Sequence, residues 1–210
     1  MSNSALYRNE YIQRYSNIKE LIASGYIDIF CLQTIKGYVE TKDSSYCLPA
    51  ASARTLSHLS MILKSDLCLA IWKTCLDQHQ NSNTLQHLRN FIEEHYPAYK
   101  VEKRQISLPS ETAQIRNDIC TMRKEFLAHN DITKSGIYID TDEMIGLLHM
   151  IRNRFNLLCI PKIDRTVTPL TDRELNALGV TMNFGFGHMI YSSCAIANAT
   201  DTSSRDGDHE

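Results

Sequence analysis

The sequence predicts an all-α protein, an up-and-down helical bundle of four to five main helices with a short C-terminal extension. Three observations lead there. Apolar residues recur at three- and four-residue spacing through most of the chain. Five Pro and eight Gly among 210 residues are too few for the many turns of an all-β fold. Hydrophobic residues at 43% and charged residues at 22% are ordinary for a globular domain. A chain of this length can bury one sizeable core, and residues 1–165 are read as that bundle.

Tyr7, Tyr11, Ile12, Tyr15, Ile18, Leu21 and Ile22 give residues 4–24 a helical stripe, with Gly25 read as its end. Residues 27–41 continue as a second helix or a bent extension. Asp, Ser and Pro mark residues 42–49 as a loop. Residues 50–79 carry the strongest pattern. Leu56, Leu59, Leu63, Leu67 and Ile71 form one stripe, and Ile62, Leu69 and Leu76 a second, so this helix should have neighbours on several sides. A shorter helix over 84–95 stops before Pro97, and residues 97–109 read as irregular. Ser110 can cap the next helix, whose core stripe is Ile115, Ile119, Met122 and Phe126. Asp140 and Glu143 resemble a capping box ahead of Met144, Leu147, Leu148, Ile151 and Phe155. Residues 166–197 are expected to hold two short helical pieces, over 171–178 and 182–197, packing on the bundle or at a dimer interface. Residues 198–210 have almost no apolar content and are expected to be disordered.

The net charge of −2 excludes a generally basic surface, so any nucleic-acid binding would use a local patch. Seven widely spaced cysteines without a C-x-x-C pair argue against a zinc site and fit a reducing cytoplasm. His58, His79, His87 and His95 show no ligand spacing, so neither metal nor cofactor is expected. The polar start and the lack of any run of 18 apolar residues predict no membrane partner and a cytoplasmic location. The string FGFGH at Phe184–His188 lacks the strand, Lys and Ser/Thr of a phosphate loop and reads as a packed turn.

Packing alone does not account for the helix from residue 111. Arg116 and Arg123 are seven residues apart and share a face with Cys120 and Leu127. Both flank the buried stripe, where a guanidinium needs a partner. Asp66 sits among Ile62, Leu63, Leu69 and Ala70 on the long helix. An ion pair from Asp66 to Arg116 or Arg123 would satisfy both helices.

The helix then ends in RKEFLAHND, Arg123 to Asp131. The spacing from Arg123 to His129 resembles the R-x(4–6)-H motif of the HEPN superfamily (higher eukaryotes and prokaryotes nucleotide-binding). With the Asp66-bearing helix ahead of it, the segment looks most like the abortive-infection U-type branch, over roughly residues 5–160. Two positions depart from the commoner pattern: Lys124 follows Arg123, and Asp131 stands where a Tyr often follows the His.

The resemblance implies a metal-independent endoribonuclease acting as a homodimer, in prokaryotic antiviral defence or as the toxin of a toxin–antitoxin pair. An antitoxin or other defence protein would then be a partner. His129 would take the proton of a ribose 2′-hydroxyl, and Arg123 would hold the phosphate and its developing charge. Asn130, Asp131, Arg116 and Asp66 are supporting candidates. Lys124, Arg152 and Arg154 are candidates for binding RNA, the last two within a segment, 149–165, that carries four basic residues against one acid. The other reading is a non-catalytic helical module that binds a partner protein or RNA. On a regular helix His129 stands about 240° around the axis from Arg123, so the two meet only if the helix stops near Ala128 or if a second chain supplies one of them.

Overall fold

The computed structural model describes residues 3–40, 50–79, 82–129 and 139–205. Among these the chain is helical and contains no strand. The helices are α1 (Asn3–Glu40), α2 (Ala50–Ile71), α3 (Leu85–His95), α4 (Lys103–Ile106), α5 (Ala113–His129), α6 (Thr141–Asn156) and α7 (Asp172–Arg205). A π-helical turn, Trp72–Leu76, extends α2. Single 3-10 turns, Pro97–Tyr99 and Ser110–Thr112, flank α4. The bundle is the expected one, with six helices of 11 residues or more instead of four to five.

α1 runs unbroken through Gly25, which does not end it. A Cβ at Gly25 would stand 3.1 Å from Leu148 Cδ2 and 3.3 Å from Leu67 Cδ1. The missing side chain lets α1 approach α2 and α6, and that contact outweighs the helix cost of glycine, about 1 kcal/mol. Replacing Gly25 with Val should therefore push methyls into the leucines and destabilise the bundle by about 1–3 kcal/mol. The readout is the urea midpoint at unchanged m-value.

The core gathers Tyr11, Tyr15, Ile18 and Ile22 of α1, Leu67 and Ile71 of α2, Ile119 of α5, and Met144, Leu148, Ile151 and Phe155 of α6. Two tyrosines also pin the segment after α6. The Tyr11 hydroxyl donates to the Leu158 carbonyl and accepts from the Ile160 N–H, each at 2.9 Å. The Tyr15 hydroxyl donates to the Thr168 carbonyl at 2.9 Å. Burial pushes both phenols well above their ordinary range, so both stay protonated donors.

Caps set the helix starts. Thr84 accepts from the His87 N–H ahead of α3. Asp140 accepts from the N–H groups of Asp142 and Glu143. Thr171 and Glu174 bond reciprocally as a capping box for α7. Ser110 is not a cap: it opens the 3-10 turn in which the Thr112 hydroxyl donates to the Pro109 carbonyl at 2.7 Å.

The C-terminal part differs most from expectation. The two short pieces form one helix, α7, and its backbone stays helical through 198–205, which the sequence reads as disordered. The FGFGH string lies inside it and is no turn. Glycine again marks close approach: a Cβ at Gly179 would stand 3.0 Å from the Phe30 ring of α1. Further along, the Thr34 hydroxyl donates to Asn183 Oδ1 at 2.7 Å, and Ile190 joins Ile35, Tyr38 and Leu56 in a second small core.

Candidate functional site

The basic face of α5 lies against the π turn. That turn forms because side chains compete for the carbonyls a regular helix would use. The Thr74 hydroxyl donates to the Ala70 carbonyl at 2.6 Å, and the Cys75 thiol to that of Ile71 at 3.1 Å. The Asp77 N–H then closes the wider ring onto the Trp72 carbonyl at 3.0 Å.

Trp72 is thereby set beneath α5. The Arg123 guanidinium carbon sits 4.1 Å from the centroid of its ring. This is a cation–π contact, which engages the flat face of the guanidinium. Arg123 is half-buried, and its Nε has no hydrogen-bond partner among the described residues.

The expected Asp66–arginine pair is not formed. Asp66 is exposed. On α2 it is six residues before Trp72 and faces the α1 side, where its charge acts on Asp28. Neither Arg116 nor Arg123 pairs with it. Trp72 replaces it as the support of Arg123. Arg116 uses its Nε on the Thr112 carbonyl one turn back, at 3.3 Å, and lines a cavity of about 630 Å³ between α3, α5 and the π turn. Cys75 and Cys120 line the same cavity, and burial pushes the Cys75 thiol up to about 12, against the pull of Arg116.

The remaining candidates separate. The α5 backbone stays helical to His129, so helix turning keeps positions 123 and 129 on different faces of one chain. The side chain of His129, and Asn130 and Asp131 entirely, lie outside the described residues. Lys124 is exposed. Arg152 and Arg154 make packing contacts, and Arg152 Nε is buried with no hydrogen-bond partner among the described residues. Arg152 donates to Asp172 at the start of α7 and lies 6.0 Å over the Tyr26 ring. The Tyr26 hydroxyl, pushed up to about 12 by burial, lies 2.5 Å from His149 Nδ1, and burial with Arg152 nearby pushes that imidazole down. Arg154 ties α6 to the Ser107 carbonyl at 2.9 Å and donates back to the Met150 carbonyl of its own helix at 3.2 Å.

Two residues escaped the sequence reading. Trp72 is the only tryptophan of the chain and adjoins Lys73, a signal that could have marked it. Asp28 is the lone acid in the run YIDIFCL. It is 8% exposed, its Oδ2 has no hydrogen-bond partner among the described residues, and burial beside Asp66 pushes it up from 3.8 to about 7. A raised folded value means that its contribution to stability is full below 3.8 and is lost as the pH rises through about 7. Asp28→Asn should remove that loss, raising Tm at pH 8.5 by at least about 3 °C and by well under half as much at pH 5, where only the part of the loss just above 3.8 has accrued. An equal gain at both pH values would refute the titration.

Fold and site together define an all-α bundle with a half-buried, aromatic-backed arginine near one helix end. No family model, no curated protein and no solved structure matches the chain. Among the described residues, no helix is long and apolar enough to cross a membrane. No group of three or more His, Cys, Asp or Glu among them is placed to hold a metal ion.

Proposed function

We propose that this chain is a metal-independent endoribonuclease of HEPN type, working as a homodimer. The observation that carries the reading is Arg123. Its cation is fixed 4.1 Å over Trp72 instead of being neutralised by Asp66. A guanidinium held by its face, with no carboxylate on it among the described residues, suits an incoming phosphate better than a buried ion pair does. His129 follows at the end of the same helix as the general base. The 2′-hydroxyl loses its proton to His129, its oxygen attacks the adjacent phosphorus, and the 5′-oxygen leaves with a proton taken from water, while His129 returns its proton to solvent. The products are a 2′,3′-cyclic phosphate and a 5′-hydroxyl. The defence or toxin setting, with an antitoxin-like partner, rests on the HEPN resemblance alone.

One observation favours the alternative, a non-catalytic helical module. Positions 123 and 129 do not share a face within a chain. A second chain whose His129 meets the Arg123 of the first removes that objection. The test incubates the purified full chain with single-stranded RNA in excess EDTA and examines the new ends. Cyclic phosphate ends are expected. Ends bearing 5′-phosphate, or no cleavage at all, refute the proposal.

A further inference from the structure

Beside Arg123 the α5 face opens into the 630 Å³ cavity, large enough for a mononucleotide. Its wall carries one acid, Asp77, whose Oδ1 accepts from the His79 N–H, and three kinds of group that suit a nucleotide. Arg116 supplies a cation whose terminal nitrogens meet no carboxylate among the described residues. Gln86 and Asn117 supply amides that can both donate and accept. Leu85 and Leu108 supply an apolar floor. The cavity is continuous with the arginine line: Arg116 is two helical turns before Arg123, a rise of about 10 Å. The π turn joins them, with Trp72 under Arg123 and Cys75 in the cavity wall.

We infer that this cavity is a subsite for one nucleotide flanking the scissile phosphate, an inference that rests on the proposed function. Arg116 grips the phosphate of that nucleotide through its guanidinium fork, and Gln86 and Asn117 read the edge of its base. The subsite gives the chain a base preference at one position beside the cut, with Arg123 left for the phosphate that reacts.

The test uses the full chain carrying His129→Ala, so that nothing turns over. It is titrated with the four nucleoside 5′-monophosphates, with inorganic phosphate, and with a single-stranded oligoribonucleotide. At least one nucleotide should bind about tenfold more tightly than inorganic phosphate. Arg116→Ala should weaken it about tenfold, and Ala113→Trp, which fills the mouth from an exposed position, should abolish it. Circular dichroism confirms that each variant is folded, and Arg116→Lys serves where Arg116→Ala is not. In the cleaving chain, Ala113→Trp should erase the base preference beside the cut while the cyclic phosphate ends persist. Equal binding of all five small probes, or binding indifferent to Ala113→Trp, overturns the subsite. Nucleotides that bind while the oligoribonucleotide does not compete make it a site for free nucleotides and overturn its assignment to the strand. The two readings fail separately. Nucleotide binding without RNA cleavage removes the nuclease and leaves the cavity a nucleotide site, whereas cleavage with an unchanged base preference in Ala113→Trp removes the subsite alone.

Discussion

His129→Ala is expected to abolish RNA cleavage while leaving the bundle folded. Loss of a positioned general base costs about 10²–10⁴ in rate, the largest effect proposed for a single side chain here. His129 lies at the last position of α5, beyond the core positions Ile115 and Ile119 of that helix, so its removal should spare the fold. The helical backbone between residues 123 and 129 adds a sharper expectation. If the two groups act across the dimer, Arg123→Ala and His129→Ala chains should complement one another. A heterodimer of the two holds one complete pair, contributed by both chains, and one pair that is doubly deficient. Random reassociation of an equal mixture should then restore about a quarter of wild-type activity. Each variant alone should stay inactive. Undiminished cleavage by folded His129→Ala would sink the mechanism, and inactivity of the mixture would place the pair within one chain.

The second large effect is on stability. Phe155→Ala should destabilise the bundle by about 3–5 kcal/mol. Phe155 is fully buried and stacks on Tyr15 with ring centroids 4.4 Å apart. Tyr15 in turn holds the Thr168 carbonyl. Truncation opens a cavity where α1, α6 and the 157–170 segment meet, three pieces that cannot collapse together because the Tyr11 and Tyr15 hydroxyls fix their spacing. Phe155→Leu, which keeps most of the volume, should lose much less. Urea unfolding of the three proteins measures both. A loss below about 1 kcal/mol for Phe155→Ala would mean that the site relaxes freely, contrary to close packing.

The core was legible wherever apolar spacing is regular. Tyr11, Tyr15, Ile18, Ile22, Leu67, Ile71, Ile119, Leu148, Ile151 and Phe155 all lie on stripes visible in the sequence, and all are buried. The glycines were not legible. In sequence Gly25 is a stop signal and Gly179 carries no reading, and only the neighbouring helices at about 3 Å turn them into points of contact. The tail from residue 198 misled for a related reason: low apolar content argues against a packed core, but a helix already started can propagate through such residues one hydrogen bond at a time.

The candidate site was legible in its residue types and illegible in its pairings. Arg116 and Arg123 share a face, as the seven-residue spacing requires. Their partners did not follow, because Asp66 and Trp72, six residues apart, lie on different faces of α2, and only the packing of α5 determines which of them meets the arginine. By itself the sequence determined the helical class, most of the buried stripes and the arginine face, because these depend on periodicity within one segment. The tertiary structure decided the support of Arg123, the exposure of Asp66, the burial of Asp28 and the cavity beside Arg116. Each of these is set by what another helix brings into contact, and local periodicity carries no record of that neighbour.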